Sequence, residues 1–340
     1  MNMTSAVQLE ILDLRHFSAR QLRPLLEEES RQWSEKLRWD YRSSTDLLLQ
    51  YLDSRVLPGF VALDRGNVCG YVFCVHEASK AVIGDVYASS VLSSHPTWEV
   101  ERMLLTHLLE MLQNSPNVER IEAQLLLHGD SLHTRPFLDR GFRIHPRLFM
   151  ERDLLGGNAA ASDAMEPDAP PPAPSLADLD TSLELRGWLA GDFQAAGELI
   201  QQAYVGHLDS RINNQYRTIA GSLRFLHNIV RFPGCGVFDP GSSLVLQDRS
   251  TGAIDGLLLC SRVRQDVGHV TQICVAQKHR RRGMGNLLVG RCVDILQTRG
   301  YSALTLTVSE ANTGAVALYR QFGFTLRHTF DAMVWDPDEA

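Results

Sequence analysis

Residues 278–288 read KHRRRGMGNLL: Arg280, Arg281 and Arg282 run directly into Gly283, Met284 and Gly285, and an apolar helical stretch follows at once. A helix starting near Gly285 leaves its first backbone N–H groups without carbonyl partners one turn back. Those groups and the positive end of the helix dipole make a natural anion site. Gly283 and Gly285 let a phosphate approach without a Cβ in its way, and the arginines add charge-assisted hydrogen bonds. The stretch therefore reads as a cradle for a pyrophosphate, with Met284 and Asn286 in the same first turn. Taken alone, the hexapeptide RRRGMG reads equally well as a solvated basic turn. Two other phosphate loops are excluded by spelling: no G-x-x-x-x-G-K-[ST] occurs, and a dinucleotide fingerprint needs glycine where Leu288 stands.

The positive charge of this stretch is local. A chain of 340 residues has room for two domains. Its formal net charge of -7 argues against a general nucleic-acid binder, which is usually basic. The N-terminal residues do not have the pattern of a signal peptide. No stretch reaches the roughly 18 uninterrupted apolar residues of a membrane span. A cytoplasmic protein without a membrane partner is expected. None of the six cysteines forms a C-x-x-C pair, and several lie in apolar runs such as GLLLC and GYVFC. They read as buried thiols, and neither a disulfide framework nor a metal site is expected.

Residues 156–182, which include the run PDAPPPAPS, are too rich in proline and small residues for helix, sheet or core, and read as a linker. The flanking lobes, 1–155 and 183–340, resemble one another. Setting Gly141 against Gly323 also pairs Asp130 with Asn312 and Phe137 with Tyr319. Further upstream GDVYASSVLS answers GHVTQICVAQ, which pairs Gly84 with Gly268. A duplicated domain is expected. In the second lobe, LELRGWL, SSLVLQD and ALTLTVS read as strands, GAIDGLLLCSRV and GHVTQICVA as a hairpin, and GMGNLLVGRCVDILQTRG as a helix closed by Gly300. Strands and helices in this order make an α/β lobe.

The RRRGMG stretch resembles the Arg/Gln-x-x-Gly-x-Gly/Ala motif of the GCN5-related N-acetyltransferases (GNAT), matched at Arg280, Gly283 and Gly285. NTGAVALYRQFGF resembles that family's second signature, matched at Asn312, Ala315, Leu318, Tyr319, Gly323 and Phe324. Together the two motifs cover a resemblance over roughly residues 183–336. It implies an α/β fold of two tandem acyl-CoA N-acyltransferase domains, each a mixed, mostly antiparallel sheet flanked by helices. It also implies an acetyl-CoA-dependent N-acyltransferase that moves an acetyl group to a primary amine by direct attack, with the active site in the C-terminal lobe. The acceptor is a small amine or a protein amino terminus. A non-catalytic acyl-CoA sensor is the alternative.

The same resemblance places site residues. The strand before the loop splays from its neighbour in this family, so Ile273, Cys274 and Val275 would offer backbone groups to the pantetheine arm and the acetyl oxygen. Tyr319 would give its proton to the departing thiolate. Asn312 would bond the pantetheine arm or cap its helix. Many family members carry a glutamate on that strand where this chain has Thr271 and Gln272. Glu310, His269 and His207 are therefore candidate bases, with Glu310 equally a solvated turn residue. Tyr204, His207, Asp209, Asn213 and Tyr216 line an acceptor pocket or form the polar end of an amphipathic helix. The first lobe lacks the glycines, carries Glu99 and Glu101 where phosphate needs positive charge, and has Phe137 at the acid position. It is expected to be a degenerate partner. Trp33, Trp39 and Tyr41 there mark a second ligand site or, as such spacing more often means, core or interface.

Overall fold

A computed structural model describes residues 9–129, 131–156, 182–232 and 234–337. Asp130 and nearly all of the expected linker lie outside the described residues. The chain forms two compact units: one holds the described residues up to Leu37, Tyr41–Pro146 and those from Thr329 on, and the other holds Arg38–Asp40 and the described part of Arg147–His328.

The first unit contains β1 (Glu10–Asp13), α1 (Ala19–Leu37), α2 (Arg42–Asp53), β2 (Gly59–Asp64), β3 (Asn67–Glu77), β4 (Lys80–Ala88), α3 (Thr97–Gln113), β5 (Arg120–Gln124), α4 (Ser131–Leu138) and the beginning of β6 (Arg143–Asp153). Its strands lie in the order β1-β2-β3-β4-β5 and are antiparallel except for β4 and β5. Side chains alternate across a strand. Tyr71 therefore packs with Leu22, Leu25, Leu49 and Leu52 under α1 and α2, while Val72 and Cys74 pack with Leu104, Leu105 and Leu108 of α3.

The second unit contains β7 (Leu183–Gly187), α5 (Phe193–Ala203), α6 (Asp209–Ile212), α7 (Ile219–Arg231), β8 (Val237–Phe238), β9 (Leu244–Asp248), β10 (Ile254–Arg264), β11 (Val267–Val275), α8 (Met284–Thr298), β12 (Ala303–Ser309), α9 (Thr313–Gln321) and the beginning of β13 (Thr325–Trp335). Its strands run β6-β12-β11-β10-β9-β7, with β8 also on β10 and only β11–β12 parallel. The same alternation sends Leu257 and Leu259 of β10 toward α5 and α7, and Leu258 and Cys260 toward α8. On α8, Leu288, Val289, Cys292, Val293 and Leu296 are buried and form the face turned to the core. Gly300 closes that helix at φ 76°.

The compact units differ from the two halves of the chain in one respect: they trade final strands. Arg147–Asp153 of β6 pair antiparallel with β12 in the second unit, and Ala332–Trp335 of β13 pair with β5 in the first. The repeat itself is visible in each unit separately. Phe142 N–H donates to the Phe137 carbonyl at 3.1 Å, and Phe324 N–H to the Tyr319 carbonyl at 3.0 Å, each around a glycine at positive φ. These are matching helix stops of the Schellman kind. Upstream, the sequence pairing of Gly84 with Gly268 is corrected. The bulge in β4 falls at Gly84 and that in β11 at Thr271, which brings Thr97 opposite Met284 at the two helix starts. A bulge adds a residue to one strand and shifts the register beyond it.

The first unit has an acidic interior. Glu29 is fully buried, takes hydrogen bonds from the Tyr71 hydroxyl and, at 3.2 Å, from Trp33 Nε1, and shares a hydrogen bond with Asp85. Burial raises both carboxyls above their ordinary range; the charge and hydrogen bond of Glu29 raise Asp85 further, while the same hydrogen bond partly offsets the rise at Glu29. The folded state therefore binds a proton that the unfolded chain releases near pH 4. That contribution is full below about pH 4 and is lost as pH rises through the folded values. Asp85→Asn is expected to raise Tm at pH ~7.5 by several degrees and leave it nearly unchanged at pH ~4, as thermal unfolding across pH would show. Trp33 also stacks on Tyr41 at 4.3 Å, and Trp39 packs on His269, so both tryptophans are core.

Candidate active site

The site of the second unit begins where one ladder stops. β11 pairs with β12 only from Val267 to Val270. Beyond that point Gln272–Val275 keep their partners on β10, while β12 continues against β6. The bulge at Thr271, whose hydroxyl donates to the Leu259 carbonyl at 3.2 Å, sits at the opening. Alternate backbone groups of residues 271–275 thus turn to an edge with no strand on it. Ile273, Cys274 and Val275 are on this segment. Cys274 is buried, and burial pushes its thiol up to about 12, which makes it a poor nucleophile at neutral pH.

β11 runs through a short turn, Gln277–His279, into α8. The helix starts at Met284 with Gly283 as its N-cap at φ 79°, and Arg281 is also left-handed at φ 58°. Such a conformation in a residue with a Cβ stores strain of order 1–3 kcal/mol and concentrates at functional loops. Leu287 N–H closes the first helical bond, to the Gly283 carbonyl at 3.0 Å. The amides of Met284 and Gly285 precede it, with no carbonyl one turn back to receive them. Turns of this kind followed by a helix start form an anion-binding concavity.

The basic residues of the loop divide into two groups. Lys278 Nζ and His279 Nε2 reach Asp255 Oδ2 at 2.7 and 3.1 Å. Arg280 donates to the carbonyls of Val275 at 3.2 Å and Ala203 at 2.5 Å, bracing the end of β11 against the end of α5. Arg281 and Arg282 are exposed beside the helix start. The first three basic residues thus shape the loop, and the next two stand at its exposed side.

The second signature packs onto the first. The Leu318 methyls lie 3.9 Å from where a Cβ on Gly285 would stand. Asn312 caps α9, its Oδ1 accepting from Ala315 N–H at 3.3 Å, so the capping reading holds in this structure. Tyr319 is 5% exposed. Burial and the negative Asp209 push its phenol upward, partly offset by Arg147. It keeps its proton at neutral pH, as a proton donor must.

Around it lies a polar network on α6, β6 and β12. Asp209 accepts from Ser309 Oγ at 2.5 Å and from Arg147 at 3.2 Å, and Arg147 also donates to Ser309 Oγ at 3.0 Å. Tyr204 stacks on Tyr216 at 4.2 Å, touches the His207 ring edge to face at 5.0 Å, and accepts from Gln272 Nε2 at 3.1 Å. Asn213 turns away to cap the next turn through Gln215 N–H at 3.0 Å. Four of the five expected pocket residues therefore meet. Arg147 carried no sequence signal, because its strand belongs to the first repeat by sequence and to the second unit by pairing.

The candidate bases separate clearly. His269 packs between Trp39 and Phe149 in the core, its Nδ1 on Thr305 Oγ1 at 2.9 Å, and burial drives it down to about 3. Glu310 is an exposed turn residue. His207 is next to Asp209, but its Nδ1 already accepts Asp209 N–H at 3.2 Å, and burial lowers its basicity.

In the first unit the corresponding positions are built differently. Pro96 at φ -56° stands at the start of α3 in place of a left-handed glycine, and Glu99 is in the first turn. β4 opens from β5 after Ile83, yet the Ala88 N–H that would face the gap donates to Glu101 Oε1 at 3.1 Å. Phe137 is fully buried against Phe142. The opening is filled by the unit's own carboxylate.

Residues 207–324 match the acetyltransferase (GNAT) family. A curated relative, [ribosomal protein bS18]-alanine N-acetyltransferase of Salmonella typhimurium, is 36% identical over 73 residues, 21% of this chain and 49% of the relative. This chain thus spans about half the length of that relative. A GCN5-related N-acetyltransferase from Sphaerobacter thermophilus superposes with a TM-score of 0.61 at 16% identity, over 96% of this chain and 95% of that one. A tandem GNAT protein from the clavulanic acid biosynthesis pathway gives 0.56 at 14% identity, over 96% and 98%. The fold is that of tandem GNAT proteins. Among the described residues no helix is long and apolar enough to cross a membrane.

Proposed function

We propose that this chain, whose residues 207–324 match the acetyltransferase (GNAT) family, transfers the acetyl group of acetyl-CoA to a primary amine in its second unit. The observation that carries the reading is the juxtaposition of a left-handed glycine helix start, a ladder that opens after Val270, and a buried protonated Tyr319. The left-handed glycine and the amides that follow it suit a diphosphate.

Acetyl-CoA supplies the thioester. The amides of Met284 and Gly285, with Arg281 and Arg282, hold its diphosphate, and the open edge of Ile273–Val275 receives its extended arm. A backbone N–H on that edge stabilises the oxygen that gains charge, an effect worth about 3 kcal/mol in enzymes generally. Tyr319 holds the proton needed by the sulfur that leaves. Asp209, fixed by Arg147 and Ser309, and His207 face the acceptor side, where the amine must shed a proton. Tyr204 and Tyr216 form its apolar wall. The acceptor is a small amine or a protein amino terminus; the curated relative's named target is of the second kind.

The test is a thiol-release assay with purified protein, acetyl-CoA and a panel of small amines and short peptides with free amino termini, alanine first among them. Turnover with at least one acceptor is expected. Tight coenzyme binding with no release across the panel would leave a coenzyme-binding protein rather than an enzyme.

A further inference from the structure

Within the first unit, Glu101 of α3 meets His128 and His133, which flank the start of α4. One ligand-capable atom from each lies within 4.8 Å of the others. The imidazoles are 4.2 Å apart centroid to centroid, and His133 Nε2 is 2.6 Å from Glu101 Oε2. His128 Nε2 is 2.8 Å from the Val86 carbonyl. A carbonyl only accepts, so Nε2 carries the hydrogen and Nδ1 carries the lone pair of the neutral ring. An imidazole whose far N–H is anchored on a backbone carbonyl is oriented as metal-ligating histidines are.

The charge around these three residues points the same way. Glu101 is buried, as are the carboxyls of Glu29 and Asp85 in the same unit. Glu28 holds Ser89 Oγ at 2.6 Å close by, and Lys36, whose ammonium donates to the Leu127 carbonyl at 3.1 Å, is the cation that faces His128. The carboxylates outnumber that single lysine.

We propose that Glu101, His128 and His133 bind one divalent cation of the zinc type. Two imidazoles and one carboxylate suit zinc, which takes nitrogen and oxygen ligands and a fourth position for water. Calcium and magnesium, which want oxygen alone, do not fit this set. Entry of the ion replaces the His133–Glu101 hydrogen bond with a metal bond to each partner: the proton on His133 Nε2 leaves to solvent, and the neutral ring carries its one hydrogen on Nδ1. The Glu101 oxygen that accepts Ala88 N–H keeps that role. The site lies in the unit that lacks the coenzyme loop, and its existence does not depend on the proposed acetyl transfer.

The full chain, stripped with a chelator, is titrated with cobalt(II) while its visible absorption is followed, and with zinc by calorimetry. One equivalent is expected, with a rise in Tm on loading. Affinity should fall at least ~100-fold in His128→Ala and in His133→Ala, and at least ~10-fold in Glu101→Gln. No uptake by the wild type at about 100 µM metal would overturn the proposal. So would equal uptake by the His128→Ala/His133→Ala double variant, which would place the ion elsewhere. Should His128→Ala fail to fold, His133→Ala decides the matter alone.

Discussion

Gly283→Val is expected to weaken acetyl-CoA binding by at least ~100-fold, about 2.7 kcal/mol. Gly283 is left-handed at φ 79°, where a β-branched residue is strained by roughly 1–2 kcal/mol and will re-form the turn in another conformation. The helix start then no longer presents its amides together. A partner variant separates binding from backbone strain. Gly285 lies inside α8, and an added Cβ would meet the Leu318 methyls only at ordinary contact distance, 3.9 Å. Gly285→Leu should therefore fold with little change in Tm, yet place a branched side chain where the phosphates approach. Calorimetric titration with acetyl-CoA reads both variants. Wild-type affinity in Gly285→Leu would remove the helix start from the binding site.

Tyr319→Phe should lower kcat about 100-fold or more while coenzyme Kd stays within about twofold, the pattern of a lost proton donor. The phenol is buried, and the negative Asp209 nearby holds its proton more firmly still. Its acid form therefore persists beyond pH 10. The alkaline limb of the wild-type kcat profile should not belong to Tyr319, and a fall below pH 9 would belong to another group. An unchanged kcat in the phenylalanine variant, with chemistry shown to limit the rate, would return Tyr319 to a packing role beside Phe324.

The two signatures were readable because each is a local device. A left-handed glycine before a helix and a glycine after one are demanded by backbone geometry within a few residues, and Gly283 and Gly323 stand where the sequence places them. The alternation along β10 and the apolar stripe of α8 are likewise local consequences of period 2 and period 3.6. What escaped reading is non-local. Nothing near Arg147 says that it will face Asp209 and Ser309, because that meeting depends on which free edge β6 pairs with. Arg280 looked like a phosphate ligand by its spacing, yet two carbonyls one strand end and one helix end away claim its guanidinium. The upstream repeat alignment failed because a bulge adds a residue without changing the residue types around it. Glu101 was read for its charge, and only the fold brings it to two histidines.

The exchanged strands make the halves of this polypeptide poor candidates for separate lives. A gene cut at the Pro-rich segment would give products ending or starting on the wrong side of the trade: one without Ala332–Trp335 against β5, the other without Arg147–Asp153 against β12. Each would carry a naked strand edge, the kind of surface that recruits other chains into aggregates. The second product would also lose Arg147, and with it the clamp on Asp209. Made together, the two fragments should rescue one another by fragment complementation, and a graft of either half from a distant relative would need its terminal strand matched to a foreign host.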